Sequence, residues 1–372
     1  MNCESTGTVT ALTLADYARL AQAGLDAGTW DFIDGGAGEE RTLAANLKAF
    51  DRIRLLPRVL TGIDQPDVAT QILGRTWMAP LAIAPMAYHT LAHPDGELAT
   101  VRAAGVAGIP FIMSTFASRT FEDVAAAARG PVWLQVYCFR DRRLTEQLIE
   151  RAERASFEAL VLTVDAPRLG RRLRDLRNDF RLPPGIEPAN LPGGDFSSPD
   201  AHALAEFDPS LDWTVVGWLR SVSSLPVLLK GILTAADACR AIEAGVDGIV
   251  ISNHGGRQLD GVPATVEVLP EIAAAVAGRC PVLVDGGIRH GNDVLASIAL
   301  GADAILLGRP VLHGLAVDGC RGVAQVLNVI TDELTDAMTL TGTGSLADAG
   351  PELVRIEASA AMHLALSGRG RQ

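Results

Sequence analysis

Eight short apolar runs recur through the middle of the chain, each followed by a polar or glycine-bearing turn and most by a longer Ala-rich segment with helical spacing. They lie at 81–85 (LAIAP), 109–114, 132–137, 159–164, 227–230, 248–252, 282–285 and 304–308. Runs this short and continuously apolar suit strands covered on both faces, with helices between them supplying the cover. The segments 95–107, 120–129, 141–155, 234–244, 265–277 and 292–300 begin near Asp, Thr or Asn, and several end at Gly, as helix capping predicts. Eight strand–helix units predict an α/β fold, a closed (β/α)8 TIM barrel over 81–342, close to the usual ~250 residues. An open doubly wound parallel sheet is the alternative. One domain over 1–372 is expected. Residues 1–80 form an N-terminal extension, with helices at 13–23 and 39–50 that close the barrel's bottom or border the site. A polar stretch, 166–225, follows the fourth strand and reads as a mobile lid loop, and the tail, 343–372, is expected to fray from 367.

The charge balance narrows the partners. Lys+Arg 32 against Asp+Glu 44 gives a net −12, and a nucleic-acid binder needs a basic face. No run of eighteen apolar residues is free of charge, and the first residues lack a basic segment followed by an apolar core, so neither membrane insertion nor secretion is expected. Five scattered cysteines with no C-x-x-C indicate neither a disulfide framework nor a zinc site. The expectation is a reduced, cytoplasmic protein without a metal.

In a barrel of this kind the chemistry belongs at the carboxyl ends of the strands. Strand three ends in Gln135-Val136-Tyr137, four in Thr163-Val164-Asp165, five in Lys230, six in Ser252-Asn253-His254-Gly255-Gly256-Arg257, seven in Asp285-Gly286-Gly287-Ile288-Arg289 and eight in Gly308-Arg309. Gly286 and Gly287 permit close backbone approach to an anion, and Arg289 and Arg309 add charge, which reads as a phosphate site. Glycines serving only a tight turn are the alternative there. His254 and Arg257, three residues apart on a loosened loop, can face one small acid, the imidazole as base and the guanidinium on a carboxylate. An Asp165 bonded to the imidazole is expected to raise its pKa. His89, His202, His290, His313 and His363 read as structural. Lys230 on a buried strand requires an anionic partner; a Schiff-base lysine, as in an aldolase-like barrel, is conceivable.

These residues resemble the FMN-dependent α-hydroxy acid oxidase and dehydrogenase family, from about Leu14 to Gly342. The string Ser252-Asn253-His254-Gly255-Gly256-Arg257-Gln258-Leu259-Asp260 is highly specific to it. Ala84-Pro85-Met86-Ala87, His93-Pro94-Asp95-Gly96-Glu97, Thr163-Val164-Asp165-Ala166-Pro167 with Gly170-Arg171-Arg172, Leu229-Lys230-Gly231 and Asp285-Gly286-Gly287 support it. The resemblance implies FMN as cofactor and oxidation of a 2-hydroxy acid to the 2-oxo acid. It implies His254 as base with Asp165 as partner, Tyr137 on the substrate hydroxyl, Arg257 on the carboxylate and Arg172 assisting from the lid side. Lys230 would face the N1 and O2 edge of the flavin. Pro85, Met86, Ala87, Ser114, Gln135 and Thr163 would line the isoalloxazine and Ser252 the ribityl region. Asp285, Gly286, Gly287, Arg289, Gly308 and Arg309 would hold the ribityl chain and phosphate.

Two departures from the family pattern bear on substrate. Phe32 stands where many members carry a carboxylate-binding Tyr, and Phe116 stands where glycolate oxidase has Trp; both favour a larger, aromatic acid. The chain looks most like the actinobacterial 4-hydroxymandelate oxidases, which serve peptide-antibiotic synthesis. The expected reaction is therefore oxidation of (S)-4-hydroxymandelate or mandelate by dioxygen, giving hydrogen peroxide. The alternatives are a lactate or glycolate oxidase, a lactate monooxygenase, or a catalytically silent flavin-binding protein. Relatives of this type are commonly tetramers, so a homo-oligomer is expected. Residues 1–80 are too few for a fused haem domain, and the charged lid is expected to stay in water rather than enter a membrane.

Overall fold

The computed structural model describes residues 11–193 and 196–357. The expected fraying at 367–372 and the structural reading of His363 lie outside them. Eight parallel strands close into a barrel: β1 (Leu81–Ile83), β2 (Phe111–Met113), β3 (Val132–Val136), β4 (Leu160–Thr163), β5 (Val227–Ile232), β6 (Gly248–Ile251), β7 (Val282–Val284) and β8 (Ala304–Leu307). Each falls within, or overlaps, one of the eight apolar runs. Closure is made by β8 on β1, with Ile305 opposite Leu81 and Leu307 opposite Ile83.

The continuous apolarity has its cause in the two cores that these strands divide. Leu81 and Ile83 face the surrounding helices, whereas Ala82 joins Ile112, Trp133, Val161, Leu228, Val250, Leu283 and Leu306 inside the barrel. A strand apolar on alternate residues only would leave one of these layers polar.

The extension contributes to the barrel core through a hairpin rather than through its helices. A hairpin of Thr70–Ile72 with Arg75–Trp77 carries Trp77, wholly buried, edge-on to Trp133 at 5.5 Å, and adds Ile72 to the inner core. Three helices, α1 (Leu14–Gly24), α2 (Ala27–Asp34) and α3 (Arg41–Phe50), come before that hairpin. The first is closed by a capping box of Thr13 and Asp16, and the second is capped by Asp26. The sequence reading missed α2, which is only eight residues long.

The covering helices are α4 (Glu97–Ala107), α5 (Phe121–Ala127) capped by Thr120, α6 (Arg142–Arg154) capped by Asp141, α10 (Ala235–Glu243) capped by Thr234, α11 (Thr265–Val276) and α12 (Gly291–Ala299). The span 166–225 is not one loop, a correction to the expectation. It holds α7 (Leu173–Arg177), α8 (Pro199–Glu206) and α9 (Thr214–Val222). The last buries Val215, Val216 and Leu219 and is the missing cover of the fourth unit. After β8 runs α13 (Arg309–Thr341), broken at Asp318 and Gly319 and ended by left-handed Gly342. Beyond it, Val354–Ile356 pairs antiparallel with Ile53–Leu55.

Cys320 is disulfide-bonded, which departs from the expectation of a fully reduced chain. Cys138, Cys239 and Cys280 are free thiols. Among the described residues no helix is long and apolar enough to cross a membrane.

Candidate functional site

A cavity at the carboxyl end of the barrel encloses about 1290 Å³ of non-atom space, open solvent included. Every site residue expected from the sequence lines it except Asp165 and Ser252, which lie just behind the lining. Phe32, from α2, forms one wall with Tyr88, Phe116 and Phe207; Pro85, Met86 and Ala87, Ser114, Gln135 and Thr163 come from the ends of β1 to β4.

His254 sits in the left-handed region at φ 58 and is followed by Gly255 and Gly256 at φ 62 and 76. A residue with a side chain persists there only when its surroundings over-determine it. The Ser252 hydroxyl accepts the His254 backbone N–H at 3.0 Å, and Asn253 exchanges amide hydrogen bonds of 2.8 and 2.9 Å with Asn46 of α3. The imidazole Nδ1 meets Asp165 Oδ1 at 3.0 Å. That contact assigns the proton to Nδ1 in the neutral ring and leaves Nε2 as the acceptor. Burial lowers the imidazole pKa, Asp165 opposes the shift, and Lys230 and Arg172 add to it, so the net direction is down. The expected rise is thus overturned: the carboxylate acts in the expected sense but is outweighed by desolvation and two nearby cations. Burial works against the Asp165 carboxylate too, yet His254 and Lys230 hold it below its ordinary range.

Lys230 has the anionic partner its burial requires. Its Nζ lies 3.0 Å from Asp285 Oδ2 and donates to Ser252 Oγ at 2.7 Å. Ser252 in turn donates to Asp285 Oδ2 at 2.9 Å. The serine hydroxyl is consumed by these bonds and by the His254 N–H, so it is a hub below the cavity and not part of its lining. Gln135 is fixed by Nε2 donating to Thr163 Oγ1 at 3.0 Å and by its Oε1 accepting from Ser114 and the Thr115 N–H.

Arg257 and Arg309 converge on one carbonyl. Gly35 O, just past α2, accepts from Arg257 Nη1 at 2.8 Å and from Arg309 Nη2 at 2.9 Å. The Arg257 guanidinium also lies 5.4 Å from the centre of the Phe32 ring, which stacks on Phe180 at 4.6 Å. Phe32 therefore offers the guanidinium a π-face where a tyrosine hydroxyl would offer a hydrogen bond.

The glycine-rich end tests the fit of a phosphorylated cofactor. Gly286 and Gly287 take φ 95 and 87; a Cβ on Gly287 would collide with the Asn46 carbonyl oxygen, so only glycine fits. Burial pushes the Arg309 guanidinium down to about 10 and lowers Arg289 as well, with Asp34 opposing both shifts. Arg309 Nε and Asp285 Oδ1 are buried with no hydrogen-bond partner among the described residues. Two desolvated cations and an unmatched N–H at the start of α13 suit a phosphate, and an unmatched carboxylate oxygen suits a polyol hydroxyl. The donor set fits FMN.

Sequence reasoning missed Asp34, Tyr88 and Phe207. Asp34, half-buried near Arg289 and Arg309, reaches His313 Nε2 at 3.4 Å and stays below its usual pKa despite partial desolvation. No motif marks it. Tyr88, left-handed at φ 54, follows the Pro85-Met86-Ala87 string but carried no signal of a role. Phe207 stacks on Tyr137 at 4.5 Å and looked like any lid residue. His202, expected to be structural, packs edge-on to Phe116 at 5.8 Å.

Comparison with known proteins agrees with the barrel and with FMN as cofactor. The family model described as FMN-dependent dehydrogenase matches residues 21–356. An L-lactate oxidase of Nostoc sp. is 46% identical, over 91% of this chain and 96% of its own. A 4-hydroxymandelate oxidase of Amycolatopsis orientalis is also 46% identical, with the same two coverages. A crystal structure of mandelate oxidase superposes with a TM-score of 0.89 at 46% identity, covering 94% of this chain and 99% of that one.

Proposed function

Because the chain belongs to the FMN-dependent dehydrogenase family and is an FMN-dependent 2-hydroxy acid oxidase, we propose that its substrates are aromatic (S)-2-hydroxy acids of the mandelate type, 4-hydroxymandelate among them. Identity does not decide this, since the lactate and 4-hydroxymandelate relatives stand at the same 46%. The observation that carries the reading is the aromatic box. Phe32, Tyr88, Phe116 and Phe207 surround the space facing His254 and Arg257, with ring centres 6.3 Å (Phe32 to Tyr88), 6.1 Å (Tyr88 to Phe116) and 5.8 Å (Phe116 to Phe207) apart. A methyl group would leave such a box largely unfilled, whereas a phenyl ring packs against it.

In this reading Arg257, aimed by the Gly35 and Ile33 carbonyls, binds the carboxylate, and Arg172 assists it. Tyr137, its hydroxyl kept protonated by burial and by Asp165, donates to the substrate oxygen. His254 takes up the released proton at Nε2, and Asp165 stabilises the imidazolium that results. Bound FMN supplies the two-electron acceptor for the Cα–OH carbon. Lys230 keeps a buried cation at the cavity floor that favours negative charge arriving there. Pro85, Met86, Ala87, Ser114, Gln135 and Thr163 form the surface for the isoalloxazine, and Asp285, Gly286, Gly287, Arg289, Gly308 and Arg309 that for the ribityl phosphate. Dioxygen as final acceptor is supported by the oxidase activity named in the relatives.

Anaerobic mixing of the yellow holoenzyme with (S)-mandelate, (S)-4-hydroxymandelate or (S)-lactate tests the substrate class. The mandelates are expected to bleach the flavin at least about tenfold faster. Faster bleaching by lactate would overturn the aromatic reading and leave the family intact.

A further inference from the structure

A second cavity lies directly behind the aromatic box. It encloses about 1130 Å³ of non-atom space, open solvent included, and its lining includes Cys138, Asp208, Asp212, Trp213, Ile232 and Asp237. The two cavities have three residues in common: Tyr137, Thr163 and Phe207. Phe207 is 3% exposed, lines both cavities, and has its ring stacked on Tyr137 and packed against Phe116 and Phe139. Tyr137 serves the reaction and Thr163 holds Gln135, so the phenyl ring is the part of the partition that the chemistry does not use.

That ring is held by backbone. The segment around it is latched to the turn after β3: Phe207 bridges Phe139 antiparallel, Arg140 N–H donates to Glu206 O at 2.8 Å, and Asp208 N–H donates to Cys138 O at 3.0 Å. The partition is therefore fixed at its base while its bulk is one side chain. On the far side, Asp208 pairs with Arg142 at 3.0 Å and accepts from Ser210, while Asp212 accepts from the Thr214 N–H and hydroxyl; both carboxyls lie below their ordinary range. Asp237 accepts from the Thr234 hydroxyl at 3.0 Å. Arg142 beside Asp208 and Arg240 over the Trp213 ring offset part of this charge, but the three carboxylates outnumber the two cations, which favours donors over acids.

We propose that Phe207 is a specificity-determining wall that limits the length of the substrate side chain, and that the cavity behind it is a subsite for a hydroxyl- or ammonium-tipped extension of an aromatic 2-hydroxy acid. This rests on the aromatic reading above. Shortening Phe207 joins the two spaces while leaving the backbone latch in place, and the joined space reaches carboxylates that a donor-tipped ring substituent can meet.

The test compares wild type, Phe207→Ala and Phe207→Leu holoenzymes on mandelate, 4-(2-aminoethyl)mandelate and 4-(2-carboxyethyl)mandelate. The kcat/KM ratio of the amino-tipped acid to mandelate is expected to rise about tenfold or more in the Ala variant and less in the Leu variant. The ratio for the carboxyl-tipped acid is expected to stay near its wild-type value. An unchanged amino-tipped ratio in the variants overturns the wall. An equal rise for both extended acids overturns the subsite. If the Ala variant does not fold, the Leu variant decides by the same ratios. A failure of the aromatic reading shows separately, as a wild-type preference for lactate over mandelate.

Discussion

At the scale of single residues the site is governed by desolvation as much as by pairing. His254 is bonded to a carboxylate, yet burial, Lys230 and Arg172 leave its pKa below the ordinary 6.5. A base works unprotonated, so activity is full above its pKa and is lost as pH falls through it. The acid limb of kcat/KM, which reports the free enzyme, is therefore expected below pH 6.5 for the FMN-loaded protein. His254→Ala should abolish this limb, lower the rate by about 10²–10⁴ and leave a yellow protein. A limb centred above 6.5, or unchanged flavin reduction in the variant, would remove His254 from the role of base. The residues legible in the sequence were those whose chemistry is incongruous on an apolar strand end: His254, Arg257, Lys230 and Asp165. Tyr88 and Phe207 were not, because an aromatic side chain that lines a cavity and one that fills a core have the same composition. Asp34 was hidden for another reason, since its partners His313, Arg289 and Arg309 are far away in sequence.

At the scale of elements, the site depends on a helix outside the barrel. The N-cap position of α3, Glu40, is left-handed and makes no side-chain cap. The missing acceptor comes from the loop after β6: Asp260 accepts the N–H of Thr42 at 2.8 Å and of Glu39 at 3.0 Å. The loop that carries His254 and Arg257 is thereby pinned to the helix that presents Asn46 to Asn253. Removing an N-cap acceptor costs about 1 kcal/mol, so Asp260→Ala is expected to lower the unfolding free energy by about that amount, read from denaturant midpoints at unchanged m. An Asp260→Ala protein as stable as wild type would show that α3 does not depend on this bond. The barrel strands were legible because a short, unbroken apolar run bounded by polar turns suits a strand covered on both faces and is too short for a buried helix. The lid helices were not: α8 is short and α7 shorter, and α9 follows a stretch rich in Pro, Asp and Ser that masked its Val215, Val216 and Leu219 face. The capping reading succeeded where Thr or Asp opens a helix, as at Thr120, Asp141 and Thr234, and had nothing to say about α3, whose cap comes from a distant part of the chain.

At the scale of the whole molecule, β7 and β8 bring two guanidiniums to one end of the cavity, and the extension brings a carboxylate against them. Arg289 and Arg309 are half-buried and desolvated near each other, and Asp34 is the carboxylate that offsets both. Such a cluster costs folding free energy until an anion completes it, so cofactor phosphate and global stability are coupled. A ligand at 100 times its dissociation constant stabilises the native state by about 2.7 kcal/mol, and riboflavin, which lacks the phosphate, cannot neutralise the two guanidiniums. FMN is therefore expected to raise the Tm of the apoprotein by several degrees, and riboflavin at equal concentration by clearly less. Arg309→Leu removes one cation from the pair and should shrink that difference chiefly by weakening the response to FMN. Equal shifts by FMN and riboflavin in the wild type would mean that the phosphate is held elsewhere. A full difference surviving in Arg309→Leu would instead assign the phosphate to Arg289 and the glycine-rich turn at Gly286 and Gly287. The comparison thus tells whether the charge held at the end of β8 is there for the cofactor or for the contact its guanidinium makes with Gly35.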